Sequence, residues 1–340
     1  MKILQIASGD FFSTYGGGQI YVKNIVDELI HQQCDIAVVS FVNTCFAIKK
    51  GKYNEAELYE VGANGLSELQ SLISSIHPDI IHAHSHKAIA VQVGNALHIP
   101  VIITAHHGGI LCPAGALLND KDMICRTTVS HQDCLACCLK NIRSGMYWYP
   151  FMKYLPQRIY LKLGRFLQKK PFVPFITPIG QRALQIVNKQ KEWHTIAEGC
   201  TCMIAPSYAI KDAMVRNGLS VEKVTVIPHG IPLPQQEFTY SIVVKDNRIK
   251  FFYVGRICHV KGIHILLQAF DQLSNKQVEL HLIGGPGNKT ESRYMKRLQR
   301  QYHSNKQIVW HGKVRSDEVY AMIQNYHVLI HAAIFLKYSD

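Results

Sequence analysis

The 340-residue chain lacks any run of about eighteen predominantly apolar residues. The uncharged stretch Ala88 to Ala105 is broken by Gln92, Gly94, Asn95, His98 and Pro100, so no spanning helix is expected. The N-terminal apolar run passes into Asp10 without a small-residue cleavage site, and no secretory signal is expected. Acidic side chains are scarce: 24 Asp and Glu face 37 Lys and Arg, a formal charge of +13. Only 18% of residues are charged and 47% are hydrophobic, which excludes disorder as the main state. Short-period repeats and low-complexity segments are absent. So is any recognised RNA or DNA module, and nucleic acid is not an expected partner. Ten cysteines without a secretory signal point to a reducing, cytoplasmic setting with thiols or metal rather than disulfides.

What is present alternates between two periodicities. Lys2–Ser8 reads as a strand, a loop holds Gly16-Gly17-Gly18, and a helix follows from about Gln19 to His31. Asp35–Val42 is a nearly continuous apolar run, as in a strand covered on both faces. A helix at Ser67–Ile76, a strand at Asp79–His82, a further helix and a strand at Pro100–Thr104 come next. This order predicts a doubly wound parallel α/β sheet. The alternation restarts with strands at Arg248–Gly255, Val278–Ile283, Gln307–Trp310 and His327–His331. Helices are expected at Lys261–Leu273, Glu291–Gln301 and Ser316–Asn325. Between the halves, Val224–Pro234 carries three prolines and a glycine and reads as a linker. At roughly 150 residues per domain the length also favours two domains, 1–235 and 240–340.

The Gly16-Gly17-Gly18 loop can bring backbone amides close to a phosphate or sugar at a helix start, or can be a plain tight turn. It is not a dinucleotide fingerprint. Gly255-Arg256 ends a strand and Lys261-Gly262 opens the next helix, so two cations converge at one strand end. A diphosphate site and a pair of solvated surface cations both fit that spacing. His82, His84 and His86 alternate, but the run begins where its strand is ending. Cys112, Cys125, Cys134 and Cys137 have spacing suited to a four-thiolate structural metal site or to reduced thiols in a packed loop. Lys153–Lys170 contains six basic residues and no acidic one. Arg158, Lys162, Arg165 and Lys169 share one helical stripe, and Leu155, Ile159, Leu163 and Phe166 the neighbouring one. An interfacial helix on an anionic membrane surface and a crossover helix with a solvated face both have this pattern.

The ordered series of motifs resembles the GT-B retaining glycosyltransferases of family 4, over residues 1 to about 335. It comprises Gly16-Gly17-Gly18, Pro78-Asp79-Ile-Ile-His-Ala-His84, Thr104-Ala-His106, Ala205-Pro206-Ser207, Val226-Ile-Pro-His-Gly-Ile231, Gly255-Arg256, Lys261-Gly262, Gly284-Gly285-Pro286-Gly287 and His311-Gly312. The resemblance implies two Rossmann-like domains facing a cleft. It implies transfer of a hexosyl group from a UDP, GDP or ADP sugar to a glycan or lipid-linked acceptor, as in polysaccharide or glycolipid biosynthesis. Configuration would be retained and no metal required. Arg256 and Lys261 would hold the diphosphate, His106 would bind or position the sugar, and Gly16, Gly17, Gly18, Gly255, Gly285 and Gly312 would line the donor. A subset of that family carries cysteines in an insertion here, matching 112–138. His107 stands where those relatives carry Asp. A glutamate motif is expected after His331, yet the chain reads Ile334-Phe-Leu-Lys337-Tyr-Ser-Asp340, with Lys337 near the first glutamate's place. The expectation is therefore a C-terminally truncated second domain with weak donor binding and slow turnover. The alternative is a catalytically impaired remnant that serves as a binding or membrane-associated module, peripheral on the inner face of the membrane.

Overall fold

The computed structural model describes residues 1–7, 11, 17–42, 49–62, 66–121, 123–140, 142, 145–169, 177–230, 248–273 and 277–334. The chain divides into two compact units, Met1–Pro232 and Leu233–Phe335.

In the first unit the elements are β1 (Lys2–Ala7), α1 (Gly17–His31), β2 (Asp35–Val42), β3 (Lys49–Tyr53), β4 (Ala56–Gly62), α2 (Leu66–Ile76), β5 (Ile80–Ala83), α3 (Lys87–Ala96) and β6 (Val101–Thr104). They continue with α4 (His131–Leu139), α5 (Gly145–Lys153), α6 (Gln157–Gln168), α7 (Thr177–Gly199), β7 (Cys202–Ala205), α8 (Tyr208–Arg216) and β8 (Val224–Val226). The eight strands are ordered β3-β4-β2-β1-β5-β6-β7-β8, all parallel except the antiparallel β3–β4 pair. Leu4, Ile6, Val39, Ile81 and Ile103 are fully buried, as expected for strands that helices cover on both faces. Gln5 is the polar exception inside β1 and is equally buried.

Three expectations are corrected in this unit. No strand was expected between Val42 and Ser67, yet β3 and β4 extend the sheet there, with Ala56, Leu58 and Val61 turned inward. Val224–Val226, assigned above to a linker, is a strand: its alternating Val-Thr-Val pairs with β7 and buries Val224. The cysteine-rich segment is not all loop, because α4 carries Cys134, Cys137 and Cys138. Ser130 caps α4 by accepting a hydrogen bond from Asp133 N–H.

The second unit contains β9 (Ile249–Val254), α9 (Ile263–Asp271), β10 (Val278–Ile283), α10 (Lys289–Gln301), β11 (Ile308–Gly312), α11 (Ser316–Ile323) and β12 (Val328–Leu329). Its sheet is parallel in the order β11-β10-β9-β12. Tyr253, Leu280, Leu282 and Ile263 form its core with Leu267 and Phe270. The helix expected from Lys261 begins at Ile263 instead. A 3-10 turn, His259–Lys261, precedes it, and Gly262 takes a left-handed φ of 65° between the two. A Cβ at Gly262 would strike the Ala332 carbonyl, so both the turn and the packed neighbour require glycine.

Burial ranks these positions. Ile81→Ala, at a fully buried site on a central strand, should cost the first unit about 2–5 kcal/mol in urea denaturation. Ile265→Ala, at a position 44% exposed on α9, should stay within about 0.5–1 kcal/mol.

Candidate functional site

The strand ends of the second unit gather most of the chemistry. Beyond β9, Gly255 N–H donates to Ile283 O (2.9 Å) and Ile257 N–H to Gly285 O (3.0 Å), which stitches the β9 and β10 loops together. Gly284, at φ 134°, lies so close to the Gly255 carbonyl that a side chain there would overlap it. Gly284 N–H reaches Gly312 O at 2.7 Å, bringing in the end of β11. The result is a shelf of glycine backbone, in which a Cβ on Gly285 would meet the Lys313 side chain.

Arg256 projects from this shelf with its side chain 56% exposed, and its Nε lies 3.6 Å from Glu291 Oε1. Glu291 stands in the first turn of α10, and its other oxygen accepts from Gly287 N–H at 2.7 Å. Asn288 caps the same helix by accepting from Glu291 N–H. Glu291 thus both fastens the glycine loop and holds the Arg256 fork beside it. Lys261 sits in the 3-10 turn before α9; burial lowers its pKa, Cys258 raises it, and the nearby Arg256 charge lowers it further. Ile334 N–H donates to Val260 O at 3.1 Å, so the segment after β12 lies against this turn. His331 follows β12, and its pKa is lowered by burial and by the Lys261 charge. Two cations, a glycine shelf and a helix start form a site that can receive a polyanion.

Of the residues expected here, Gly255, Arg256, Lys261, Gly285 and Gly312 converge on this region of the second unit. Sequence reasoning missed Glu291, Lys313 and His331. Lys313 follows a glycine at a strand end, the same signal that marked Arg256.

In the first unit, His106 lies two residues beyond β6 and joins a buried polar cluster. Its Nε2 is 3.2 Å from His84 Nδ1, and His84 Nε2 is 2.9 Å from Gln5 Oε1. With the Gln5 oxygen as acceptor, His84 carries its proton on Nε2, and its Nδ1 accepts from His106 Nε2–H. His84 is held neutral, its pKa well below the ordinary range, by burial and by surrounding imidazoles and Lys87. His82, on β5, hydrogen-bonds Thr104 Oγ1 at 2.8 Å. Tyr21, on α1, sets its ring edge against His84 and His106 and lies 4.3 Å from the His229 ring. The expected His106 is therefore joined by Gln5, Tyr21, His84 and His229, so that five residues from five separate segments meet. His84 and His229 stand in the motif series quoted above, and Gln5 was signalled as a lone polar residue in an apolar strand.

Gly17 and Gly18 are the first two residues of α1 rather than part of a loop, and a Cβ on either would meet nothing within 4 Å. Gly16 lies outside the described residues, as do Lys337 and the expected glutamate region.

The expected metal set of Cys112, Cys125, Cys134 and Cys137 does not fit a metal site. Among the described residues, no group of three or more His, Cys, Asp or Glu side chains is placed to hold a metal ion. Burial, with the neighbouring cysteines, pushes the Cys134 thiol up to about 12 and Cys137 up to about 11. Cys134 and Cys138 instead pack as thiols with Leu135, Leu139, Tyr160 and Ile186.

Residues 235–335 match the family described as glycosyl transferases group 1. The matched segment is the second unit, which carries the glycine shelf and its two cations. No curated protein matches the chain in sequence. Among solved structures, Alr3699/HepE of Anabaena, in complex with UDP and glucose, is 16% identical, with a TM-score of 0.58 over 98% of this chain and 74% of that one. Sucrose-phosphate synthase of Thermosynechococcus elongatus is 14% identical, with a TM-score of 0.62 over 99% and 77%. The catalytic domain of starch synthase IV from Arabidopsis thaliana, bound to ADP and acarbose, is 11% identical, with a TM-score of 0.58 over 100% and 79%. These likenesses show the fold, a parallel α/β architecture shared with GT-B glycosyltransferases. The family match to the second unit supports a transferase.

The histidine cluster makes stability depend on acid. Burial lowers the His82 pKa from 6.5 to about 4. Below pH 6.5 the unfolded chain takes up a proton that folded His82 refuses. This contribution is complete above 6.5 and is lost as pH falls toward 4. Between pH 7 and pH 5 it amounts to about 2 kcal/mol. His82→Gln, which can keep the Thr104 hydrogen bond, should reduce the drop in urea stability between those pH values. An unchanged drop would remove His82 from the account.

Proposed function

We propose that the chain is a glycosyltransferase that moves a sugar from a nucleoside diphosphate sugar to a glycan or lipid-linked acceptor with retention of configuration. The observation that carries this reading is the pairing of Arg256 and Lys261 around the glycine shelf of the unit that matches glycosyl transferases group 1. Breaking the sugar–phosphate bond loads negative charge onto the departing diphosphate. Cations set there in advance stabilise that charge as it develops. Arg256 offers a planar fork to two phosphoryl oxygens and Lys261 a point charge beside them. The backbone of Gly255 and Gly285, held in place by the loop hydrogen bonds, would lie against the diphosphate. His106 would bind the sugar or position the reacting groups. The neighbours hold UDP in one case and ADP in another, so the nucleotide base is set by titration.

Calorimetric titration with UDP, GDP and ADP sugars tests this reading. One nucleotide should bind, and Arg256→Ala and Lys261→Ala should each weaken it by about tenfold or more, the scale of a charge-assisted hydrogen bond. His106→Ala should lower transfer while leaving nucleotide affinity nearly intact. Transfer should persist in EDTA, because Arg256 and Lys261 supply the charge a divalent ion would otherwise provide. Absence of binding to every nucleotide, or unchanged binding by both cation variants, would overturn the reading.

A further inference from the structure

The first unit carries a surface that sugar transfer does not use. α6 is fastened to α7 along one stripe, with Tyr160, Gly164 and Leu167 buried. Gly164 and Gly180 allow the two helices to approach closely: a Cβ on Gly180 would lie 2.6 Å from the Gly164 carbonyl, with Gln168 N and Leu167 Cβ also closer than 3 Å. This corrects the sequence expectation for the apolar stripe. Leu155 and Leu163 are half-buried, whereas Ile159 is 52% and Phe166 58% exposed. Arg158, Lys162, Arg165 and Lys169 are all exposed beside them. α5 adds Tyr147 and Phe151 one turn apart, followed by Tyr154, at 86%, 61% and 77% exposure. The Lys153 ammonium lies 5.5 Å from both the Tyr149 and Tyr154 ring centres. From Gly145 to Lys169 there is no acidic residue.

Exposed aromatic rings, an exposed branched aliphatic and unopposed cations on the same two helices match the chemistry of an anionic bilayer surface. Its phosphates attract the cations, and its headgroup layer accepts rings that are apolar at one end and polar at the other. A second copy of the chain is a poor occupant, since two such faces repel. Single-stranded nucleic acid is disfavoured because the rings stand on helices and not on a strand platform. We propose that α5 and α6 seat the protein on an anionic lipid surface. Tyr147, Phe151, Tyr154 and Ile159 enter the headgroup layer, and Arg158, Lys162, Arg165 and Lys169 lie against the lipid phosphates. The proposal stands apart from the donor chemistry, which lies in the second unit.

Cosedimentation of the full chain with vesicles of phosphatidylcholine, alone or mixed with phosphatidylglycerol, tests it. Binding to the anionic vesicles should be at least about tenfold tighter and should fall as salt is raised. Arg158→Gln/Lys162→Gln/Arg165→Gln/Lys169→Gln should abolish the lipid preference. Tyr147→Ser/Phe151→Ser/Tyr154→Ser should lose the binding that survives high salt. Unchanged thermal unfolding would show that both variants fold. Quenching of tryptophan fluorescence in the unaltered chain by brominated lipids, through Trp148 on α5, gives a readout that needs no variant. Equal binding to both vesicle types, full binding by the four-Gln variant, or binding of single-stranded RNA without vesicle binding would each overturn the proposal.

Discussion

A parallel sheet covered by helices on both faces can offer chemistry only at the ends of its strands, and both units obey that constraint. Leu4, Ile6, Val39, Ile81 and Ile103 make the first sheet largely apolar, with Gln5, His82 and Thr104 among its few buried polar residues. The candidate side chains therefore collect where the strands stop. His84 follows β5, His106 follows β6, Arg256 follows β9, the glycine run follows β10 and Lys313 follows β11. Ligands of open α/β sheets occupy the same carboxyl ends. The core and the site are thus two results of one topological fact.

Within that frame, the two units solve different electrostatic problems. The second keeps its cations at the surface, where Glu291 partly neutralises Arg256 and orients it without burying an unpaired charge. On the proposed reading, an incoming diphosphate would meet a guanidinium already beside the shelf, and its greater charge would displace the carboxylate. The first unit buries imidazoles instead and keeps them neutral by desolvation. There hydrogen bonds, rather than charges, transmit order: the Gln5 amide sets the His84 tautomer, and His84 sets that of His106.

The legible part of the fold was the part with strong local periodicity. β2 was read to the residue, and α2, β10 and α10 to within two residues, because each repeats its apolar pattern without interruption. β3 and β4 were missed although Ala56, Leu58 and Val61 turn inward; the lysines of β3 mask an edge strand. Lys261 was placed inside α9 because a positive-φ glycine is invisible in the letters. At the site, glycines and cations next to strand ends could be read locally. Glu291 and Tyr21 could not, because each acts by meeting a residue that is distant in sequence. The cysteines show the reverse failure: they have metal-ligand spacing, yet among the described residues they are not placed together to hold a metal ion, and Cys134 packs into an apolar cluster.

The central claim is that the glycine shelf between Gly255 and Gly287, with Arg256 and Lys261, holds the diphosphate of a sugar nucleotide. A crystal structure of the chain grown with UDP, GDP or ADP tests it most directly. The account predicts the diphosphate against Gly255 and Gly285, within hydrogen-bond distance of Arg256 and Lys261, with the Arg256–Glu291 contact opened. A nucleotide bound elsewhere, with Arg256 still on Glu291, would contradict it.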